Sequence, residues 1–403
     1  MDRNKRHVRY VTSGSGSAAG TYRMSQPAVR KKKSANWKGR LRVLFTLLAI
    51  GAVLYAGWRF LTRERGRTGI GRVIRIGATL SQSVTPFSDN VVFYDGTTLH
   101  CVSATGGNEW SYQIGTNADY DATEKRIVAW SGNDLYILNE KGRLIYNNKM
   151  SDTIQFADAG EEYVAVFSGE ADQGVVTVIN GNGQTVDNIP VSGQTLIDMG
   201  FFRAVTTSSG TAQTELMWML GLNTTGTVIS TELQTFQPGR LSIGKKSIGD
   251  HIAYEIYDME GGNLEIVTTR EILHYNYRLV ESGNPTLIYG YSLQDVRKEG
   301  NVTYRLLIPA QEQTGNMSIE SVRLMYGQVD RMTHLPGSCL DVRLGKRAVY
   351  GFSASALYCC RFGDNTFQSF AMPIQVTAVL GMLTDNRAVV ASGSEIYVVE
   401  LPM

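Results

Sequence analysis

The chain has 403 residues, 43% of them apolar, so it is long enough to bury a large core. Its 42 glycines and nine prolines favour many short strands joined by tight turns over a disordered or collagen-like chain. The formal net charge of +2 hides a division, because residues 1–42 carry about +11 and residues 73–403 about −13. An acidic region repels phosphate backbones, which argues against nucleic-acid binding by residues 73–403.

Residues 1–37 have the composition of a disordered basic tail, because Gly, Ser, Lys and Arg dominate and no apolar period persists. The basic run at residues 30–33 has two interpretations: a nucleic-acid or localisation signal, or the solvated flank of a membrane segment. An apolar stretch follows almost at once and favours the second interpretation. We therefore expect a cytoplasmic tail.

The stretch VLFTLLAIGAVLYAGW, residues 43–58, has sixteen residues and no charge. As a helix it would cover about 24 Å, slightly less than a hydrocarbon core of ~30 Å. Arg42 and Arg59 can extend their charges to the two membrane surfaces, and Trp58 suits an interface. We predict a transmembrane anchor with flanks at residues 38–61, which binds membrane lipid through residues 43–58.

A cleaved signal peptide and a buried core helix are the alternatives to an anchor. The stretch lacks a good cleavage site near Ala56, and arginines flank it on both sides, so an uncleaved single-pass signal anchor is preferred. The larger positive charge precedes the anchor, which predicts a cytoplasmic N-terminus and an extracytoplasmic location for the rest of the chain. Residues 62–70 would form a short juxtamembrane linker.

A rhythm of strands and turns repeats along the chain after the linker. In VVFYDGTTLHCVSATGGNEWSY, residues 91–112, apolar strands alternate with glycine turns. The pattern returns in four later stretches: 127–146, 164–186, 348–370 and 388–403. The early turn glycines Gly96, Gly132 and Gly169 are 36 and 37 residues apart. Units of about 40 residues made of short strands are typical of propeller blades, so we predict an all-β fold, a β-propeller, for residues 71–403.

The number of blades follows from the length of this region. Its roughly 330 residues divide into eight units of about 41 residues. Residues 237–339 do not divide clearly: two blades with long loops give eight in total, and one decorated blade gives seven. We predict an eight-bladed propeller, with seven blades as the alternative. The polar segment QDVRKEGN, residues 294–301, looks like an exposed loop.

The last copy of the repeat is one strand short. The chain ends soon after a third strand near Leu401, which leaves no residues for an outer strand. The segment RVIRIG, residues 72–77, precedes the first blade and has no local partner. We predict that this segment completes the last blade, because a closed ring has no exposed strand edges at its ends.

The first repeat resembles the tryptophan-containing repeat of quinoprotein-like (PQQ-like) propellers. The matching residues are Asp95, Gly96, Leu99, Val102, Ala104, Thr105, Gly106 and Trp110. The other repeats have the same alternation of strands and turns but lack the tryptophan. With the anchor and the basic tail, residues 38–403 resemble an uncharacterised family of Gram-positive bacterial envelope proteins, which are membrane-anchored propellers of unknown function. The resemblance implies a fold and a location, but no chemistry.

Some quinoprotein dehydrogenases hold a quinone and calcium in the central funnel and carry a disulfide between adjacent cysteines. This chain has the adjacent pair Cys359 and Cys360. Small apolar packing inside a strand is the preferred explanation of the pair, and no set of calcium ligands is apparent. The sequence therefore predicts no catalytic residue, no cofactor and no enzyme activity.

The cysteines and the other metal-binding residue types leave few candidates. The four cysteines form extracytoplasmic disulfides or stay free and buried, and both interpretations are open (Cys101, Cys339, Cys359 and Cys360). The five histidines are scattered, and no pair has the spacing of zinc ligands. NADYDATE, residues 117–124, is similar to a calcium loop but lacks its glycine and final glutamate, so a solvated turn is preferred. No metal ligands are predicted, and the binding residues are unknown at this stage.

A propeller without recognisable chemistry presents broad, rigid faces to other molecules. We predict a non-catalytic interaction scaffold at the bacterial cell envelope, with an envelope protein as its partner and no nucleic acid. The alternatives are a ligand- or glycan-binding envelope sensor and, with less support, a quinone-dependent oxidoreductase.

Overall fold

The computed structural model describes residues 47–48, 50–52 and 69–403, apart from residues 207–212, 225–226, 241, 250, 260, 301, 311–317 and 385. The chain divides into two units, Met1–Arg65 and Gly66–Met403. The described residues of the first unit are helical. The predicted tail (1–37) and most of the predicted anchor (43–58) and linker (62–70) lie outside the described residues. Within the part of the chain that is described, no helix is long and apolar enough to cross a membrane.

The second unit consists of antiparallel strands. The first seventeen are β1 Val73–Thr79, β2 Ser83–Phe87, β3 Asn90–Tyr94, β4 Thr98–Ser103, β5 Asn108–Gln113, β6 Ala118–Ala122, β7 Arg126–Ser131, β8 Asp134–Asn139, β9 Leu144–Lys149, β10 Ile154–Ala159, β11 Tyr163–Ser168, β12 Val175–Asn180, β13 Thr185–Pro190, β14 Thr195–Val205, β15 Gln213–Asn223, β16 Ser230–Phe236 and β17 Ser242–Ser247. The others are β18 Ala253–Met259, β19 Asn263–Thr268, β20 Glu271–Asn276, β21 Thr286–Leu287, β22 Tyr291–Glu299, β23 Val302–Pro309, β24 Ile319–Tyr326, β25 Val329–Cys339, β26 Asp341–Leu344, β27 Ala348–Phe352, β28 Ala356–Arg361, β29 Gln368–Ala371, β30 Ala378–Met382, β31 Arg387–Ser392 and β32 Glu395–Glu400.

These strands form eight sheets of four strands each in the described part of the chain. Blades 1 to 7 are meanders of four consecutive strands, from β2–β5 to β26–β29, and blade 8 combines β30, β31 and β32 with β1. The predicted all-β, eight-bladed propeller is confirmed, and the seven-bladed alternative is wrong. The unclear segment 237–339 contains the last strand of blade 4, β17, followed by blades 5 and 6.

The exposed loop predicted at residues 294–301 is wrong, because most of this segment belongs to β22. β22 is the first strand of blade 6, and the first strand of each propeller blade lines the central channel. Its polar side chains have partners there: the Gln294 amide donates to Asp341 at 2.8 Å, and Arg297 pairs with Glu299 at 2.9 Å. The polar residues of this segment therefore belong to a strand that lies beside the channel.

The strand directions define two faces of the ring. The linker face carries the first-to-second and third-to-fourth strand turns of the blades, such as residues 123–125 and 140–143 in blade 2. Residues 69–72 lead into β1 on this face, because β1 is an outer strand and outer strands begin there. The connection face carries the second-to-third strand turns, such as residues 132–133, and the blade-to-blade connections, such as residues 114–117.

The ring closes as predicted, because β1 pairs antiparallel with β32. Val73 lies opposite Val399 in this ladder. The buried Glu400 also accepts hydrogen bonds from the main-chain N–H and from the guanidinium of Arg72, each at 3.1 Å. A main-chain ladder and a buried carboxylate thus join the two ends of the propeller.

Aromatic residues of the outer strands lock neighbouring blades together. Trp110 of blade 1 lies over Gly142 in a turn of blade 2, and Tyr146 of blade 2 lies over Gly183 in the same turn of blade 3. A Cβ atom at Gly142 would lie 2.4 Å from the Trp110 ring, and the φ of +69° at Gly142 also favours glycine. The tryptophan that carries the PQQ-like resemblance therefore serves as a contact between blades.

Closure by β1 predicts unequal costs for two substitutions in that strand. Ile76 is 2% exposed and packs among core residues of blades 1 and 8, so Ile76→Ala should lower the free energy of unfolding by about 2–5 kcal/mol. Arg75 is exposed and pairs with Glu395 at the surface, so Arg75→Ala should lower the free energy of unfolding by at most about 1 kcal/mol. Urea unfolding of the full-length chain measures both, and similar losses would contradict the closure.

Candidate interaction site

Carboxylates recur on the first strands of blades 2 to 6. Six of them form no ion pair with a base of the described residues: Asp119 and Asp121 on β6, Asp158 on β10, Asp198 on β14, Glu255 on β18 and Asp295 on β22. The first-strand acids Asp258, Glu299 and Asp341 are paired with Lys298, Arg297 and Arg343. First strands surround the channel of a propeller, so the six unpaired side chains approach it from five neighbouring blades. We call this set the acidic lining.

β-Bulges place three of these acids at one level of the channel. The pairing register shifts immediately before Asp198 in β14, before Glu255 in β18 and before Asp295 in β22. The extra residue at a bulge bends the strand and turns the side chain that follows. The repeated bulge therefore gives three neighbouring blades an acid at the same position.

Two acids of the lining also connect neighbouring blades. Asp121 accepts the main-chain N–H of Ala159 at 3.0 Å, which joins blade 2 to blade 3. Asp295 accepts the main-chain N–H of Leu344 at 2.8 Å, which joins blade 6 to blade 7. These bonds fix the lining to the ring, so its charges keep their positions.

Four acids of the lining have no basic neighbour that lowers their pKa, whereas the charge of Arg343 opposes the rise that burial causes at Asp295. Burial raises the pKa of Asp158 well above its usual value, and the charges of Asp121, Asp198 and Glu215 raise it further. Burial likewise raises the pKa of Asp121, Asp198 and Glu255, and the charge of another acid of the lining adds to each rise. Among the residues that the structure describes, Asp121, Asp158, Asp198 and Glu255 form no ion pair with Lys, Arg or His. The channel is therefore suited to attract cationic groups.

A cavity of about 570 Å³ opens into the channel on the linker face. Its wall combines Asp158 with the aromatic residues Phe201, Trp218 and Tyr257 and with the guanidinium of Arg203. Cavities of this size, with apolar walls and a few polar groups, are typical of small-molecule sites.

Glu215 shapes one wall of this cavity. It is 2% exposed, and its carboxylate accepts the main-chain N–H of Glu161 at 2.6 Å, of Glu162 at 2.7 Å and of Tyr163 at 3.0 Å. Gly160 leaves room for it, because a Cβ atom there would lie 2.8 Å from a Glu215 oxygen. Burial raises the pKa of Glu215, and the three N–H groups oppose that rise. The cavity wall is thus formed by a contact between blades 3 and 4.

An exposed apolar patch lies on the connection face at blades 4 and 5. It consists of Ile197, Val228, Ile229, Ile252 and Tyr254, with exposed fractions of 43%, 61%, 50%, 51% and 42%. Ile197 and Tyr254 directly precede the bulge acids of β14 and β18, so they occupy equivalent positions in neighbouring blades. The patch therefore begins at the rim of the channel, and we call it the apolar patch.

An acid–histidine–hydroxyl relay lies in blade 1, and the sequence alone did not single out its members His100 and Ser111. The His100 ring places Nε2 2.8 Å from an Asp95 oxygen and Nδ1 3.0 Å from the Ser111 hydroxyl. The hydrogen bond from His100 holds the pKa of Asp95 well below its usual range. The relay links a turn, β4 and β5 of one sheet and lies apart from the cavity.

A second relay lies between blades 5 and 6. Glu265 is buried and pairs with Arg305 of blade 6, whose Nε lies 2.7 Å from a carboxylate oxygen. The His274 ring places Nδ1 3.2 Å from Glu265 and Nε2 3.0 Å from the Thr286 hydroxyl. Burial opposes ionisation of Glu265, but His274 and Arg305 together lower its pKa. This relay therefore supplies a satisfied ion pair between two blades.

The four cysteines are free and buried, so the second of the two open interpretations is the one observed. Cys359 packs in the core between blades 7 and 8, and Cys339 in the core between blades 6 and 7. Burial raises the pKa of Cys101 and of Cys339 to about 12, and that of Cys359 to about 11. These thiols stay protonated at neutral pH and pack as small apolar groups.

The solvated turn expected at residues 117–124 is wrong, because β6 occupies most of this segment. Asp119 and Asp121 lie on the same side of β6, since side chains alternate along a strand. They were predicted as turn residues because, in a sequence, polar side chains that face a channel look the same as polar side chains of a loop. In the part of the chain that is described, no group of three or more His, Cys, Asp or Glu side chains is arranged to hold a metal ion.

No protein-family model and no curated protein matches this chain. Solved structures do match. The WD40 domain of SCAP from fission yeast has a TM-score of 0.54 at 10% identity, over 82% of this chain and 98% of that one. The crystal structure of the eukaryotic initiation factor has a TM-score of 0.50 at 10% identity, over 78% of this chain and 82% of that one.

BamB from Moraxella catarrhalis also matches, with a TM-score of 0.49 at 9% identity, over 82% of this chain and 99% of that one. The likeness to the SCAP domain and to the initiation factor, each at 10% identity, establishes the β-propeller fold alone. Membership of a Gram-positive envelope family therefore stays a prediction.

Repulsion within the acidic lining predicts that Asp158→Asn stabilises the protein at neutral pH. The raised pKa means that the folded chain holds a proton that the unfolded chain has lost, so stability falls as the pH rises from 3.8 through the raised value. The variant avoids this loss, so its melting temperature should exceed the parent's by roughly 2 °C at about pH 7 and equal it at about pH 3.

Thermal unfolding at the two pH values measures the effect. Glu140→Gln is the matched control, because Glu140 is an exposed carboxylate in a turn of the linker face. The control should leave the melting temperature unchanged at both pH values. A lower melting temperature for Asp158→Asn at neutral pH would show that this carboxylate stabilises the ring.

Proposed function

We propose that the chain is a membrane-anchored, extracytoplasmic β-propeller that acts as a protein-interaction scaffold at the bacterial cell envelope. The apolar patch carries this proposal, because exposed apolar surface rimmed by polar groups is typical of protein interaction sites. The closed ring supports it, since a rigid surface loses little conformational entropy when a partner binds. The partner would be another protein of the envelope.

The sequence supports the location. The uncharged stretch at residues 43–58 would bind membrane lipid, and the basic residues before it would keep the N-terminus in the cytoplasm. The resemblance to Gram-positive envelope propellers also supports the proposed location. It implies that residues 71–403 lie outside the cell.

The proposed role is non-catalytic. In the relay at Glu265, the carboxylate is already engaged by Arg305 as well as by His274, an arrangement suited to holding blades 5 and 6 together. In the relay at Asp95, the carboxylate also accepts the main-chain N–H groups of Thr97 and Thr98 at 2.9 and 2.8 Å. Both relays therefore have a structural explanation.

A ligand- or glycan-binding sensor is the second candidate, and the cavity on the linker face favours it. Aromatic rings beside carboxylates and a guanidinium can stack on and hydrogen-bond to a polar ligand. The two functions differ in what the purified protein retains: the scaffold keeps a protein, and the sensor keeps a small molecule.

The anchor and its orientation can be tested by thiol labelling. The four native cysteines are buried, so an introduced exposed cysteine dominates the reaction with a membrane-impermeant maleimide. We expect Glu140→Cys to label in intact protoplasts and Ser17→Cys, in the tail, to label only after lysis. The reverse pattern, or recovery of the full-length chain in the soluble fraction after lysis, would contradict the anchored, extracytoplasmic location.

The scaffold role can be tested by purifying the full-length protein from its native membrane in a mild detergent. We expect mass spectrometry to find one envelope protein in near-equal amount in repeated preparations. Recovery of the chain alone would contradict the scaffold. Recovery of the chain with a small molecule would favour the sensor.

A further inference from the structure

The apolar patch spans the boundary between blades 4 and 5. The Thr231 hydroxyl donates to the carbonyl of His251 at 3.0 Å and accepts the N–H of Ala253 at 3.3 Å. Ile252 lies between these two residues, and Ile229 lies two positions before Thr231. The hydrogen bonds therefore hold side by side the two chain segments that carry the exposed isoleucines.

Negative charge borders this patch on its channel side. Asp198 directly follows Ile197, and Glu255 directly follows Tyr254. Both side chains stay accessible to solvent, although the protein around them raises their pKa. Neither forms an ion pair with a base of the described residues. The surface thus combines apolar contact area with two unpaired negative charges at its edge.

The apolar area and the negative charges together limit which molecules could cover the patch. A second copy related by two-fold symmetry would bring identical acidic borders together, and like charges across an interface are unfavourable. A bilayer with anionic headgroups would meet the same repulsion. A protein segment that carries positive charge within an apolar surface satisfies both features.

We propose that the apolar patch binds a segment of a partner protein in which a Lys or Arg lies between large apolar side chains. The cationic group would lie over Asp198 and Glu255 at the channel rim, and the apolar side chains would pack on Ile252 and Tyr254. This inference rests on the proposed scaffold function and names the partner class of the same surface.

The test uses the full-length protein in phosphatidylcholine nanodiscs, so that no detergent covers the patch. The probe is a short fluorescein-labelled peptide with a pair of lysines between leucines, and fluorescence anisotropy measures its binding. A peptide with glutamates in place of the lysines is the control probe. We expect the lysine peptide to bind and the glutamate peptide not to bind.

Two variants test the two halves of the surface. Ile252→Ser should weaken binding of the lysine peptide about tenfold, because it removes central apolar contact. The double variant Asp198→Asn, Glu255→Gln should weaken binding about fivefold and reduce its dependence on salt. Leu144→Ser is the matched control: Leu144 is 45% exposed but lies on the linker face, so binding should not change.

Several results would overturn the inference. They are no binding of the lysine peptide, equal losses in Ile252→Ser and Leu144→Ser, or equal binding of the glutamate peptide. Sedimentation would show a dimer that Ile252→Ser dissociates if a second copy covers the patch, and vesicle flotation would show binding lost in Ile252→Ser if lipid covers it. Retention of a native partner by Ile252→Ser and by the charge variant would overturn this surface while leaving the scaffold function intact.

Discussion

The pairing of β1 with β32 is the contact on which the rest of the structure depends. It joins residues more than 300 positions apart, since the Arg72 main chain bonds to Glu400 with a separation of 328 residues. Without it, blade 8 would have three strands and β32 would expose an unpaired edge. The core between blades 8 and 1 would also lose Ile76. The closed ring is therefore one cooperative unit rather than an open array of repeats.

Closure has a consequence for folding. β1 is the first strand of the propeller to be synthesised and β32 is the last. The two can pair only after the whole propeller has been synthesised. Until then, the alternating apolar residues of β1 have no ladder. The arginines at positions 72 and 75 add charge to this strand, which protects an unpaired edge from aggregation.

Much of this fold could be predicted from the sequence because its signals are local. Glycine turns such as those at Gly96 and Gly132 recur with the blade period, and the orphan strand at residues 72–77 matched a missing strand at the end of the chain. The errors at residues 117–124 and 294–301 share a cause. Both segments contain first strands, whose polar side chains face a channel and therefore read as loops.

The candidate site could not be predicted in the same way, because its members are far apart in the sequence. Asp158 and Asp198 are 40 residues apart, as are Glu255 and Asp295, and only ring closure brings such residues together. The recurrence of an acid in the first strand of five successive blades was the signal that could have found them. The apolar patch had no such signal, because exposure of Ile252 depends on how blades 4 and 5 meet.

The two faces of the ring have different chemistry. The linker face opens into a cavity with aromatic and charged walls, and the connection face presents apolar side chains beside unpaired carboxylates. Burial and mutual repulsion of the acidic lining cost stability, and the ring tolerates that cost because each blade is buried between two others. Residues that lower the stability of a fold are typical of surfaces that bind other molecules.

The central claim of this account is that a partner protein binds the connection face of a closed ring. The most direct measurement is site-specific photo-cross-linking in the native membrane, with a photoreactive residue at position 252 on the connection face or at position 144 on the linker face. The account predicts one cross-linked protein from position 252 and none from position 144. No product from position 252, or the same products from both positions, would contradict it.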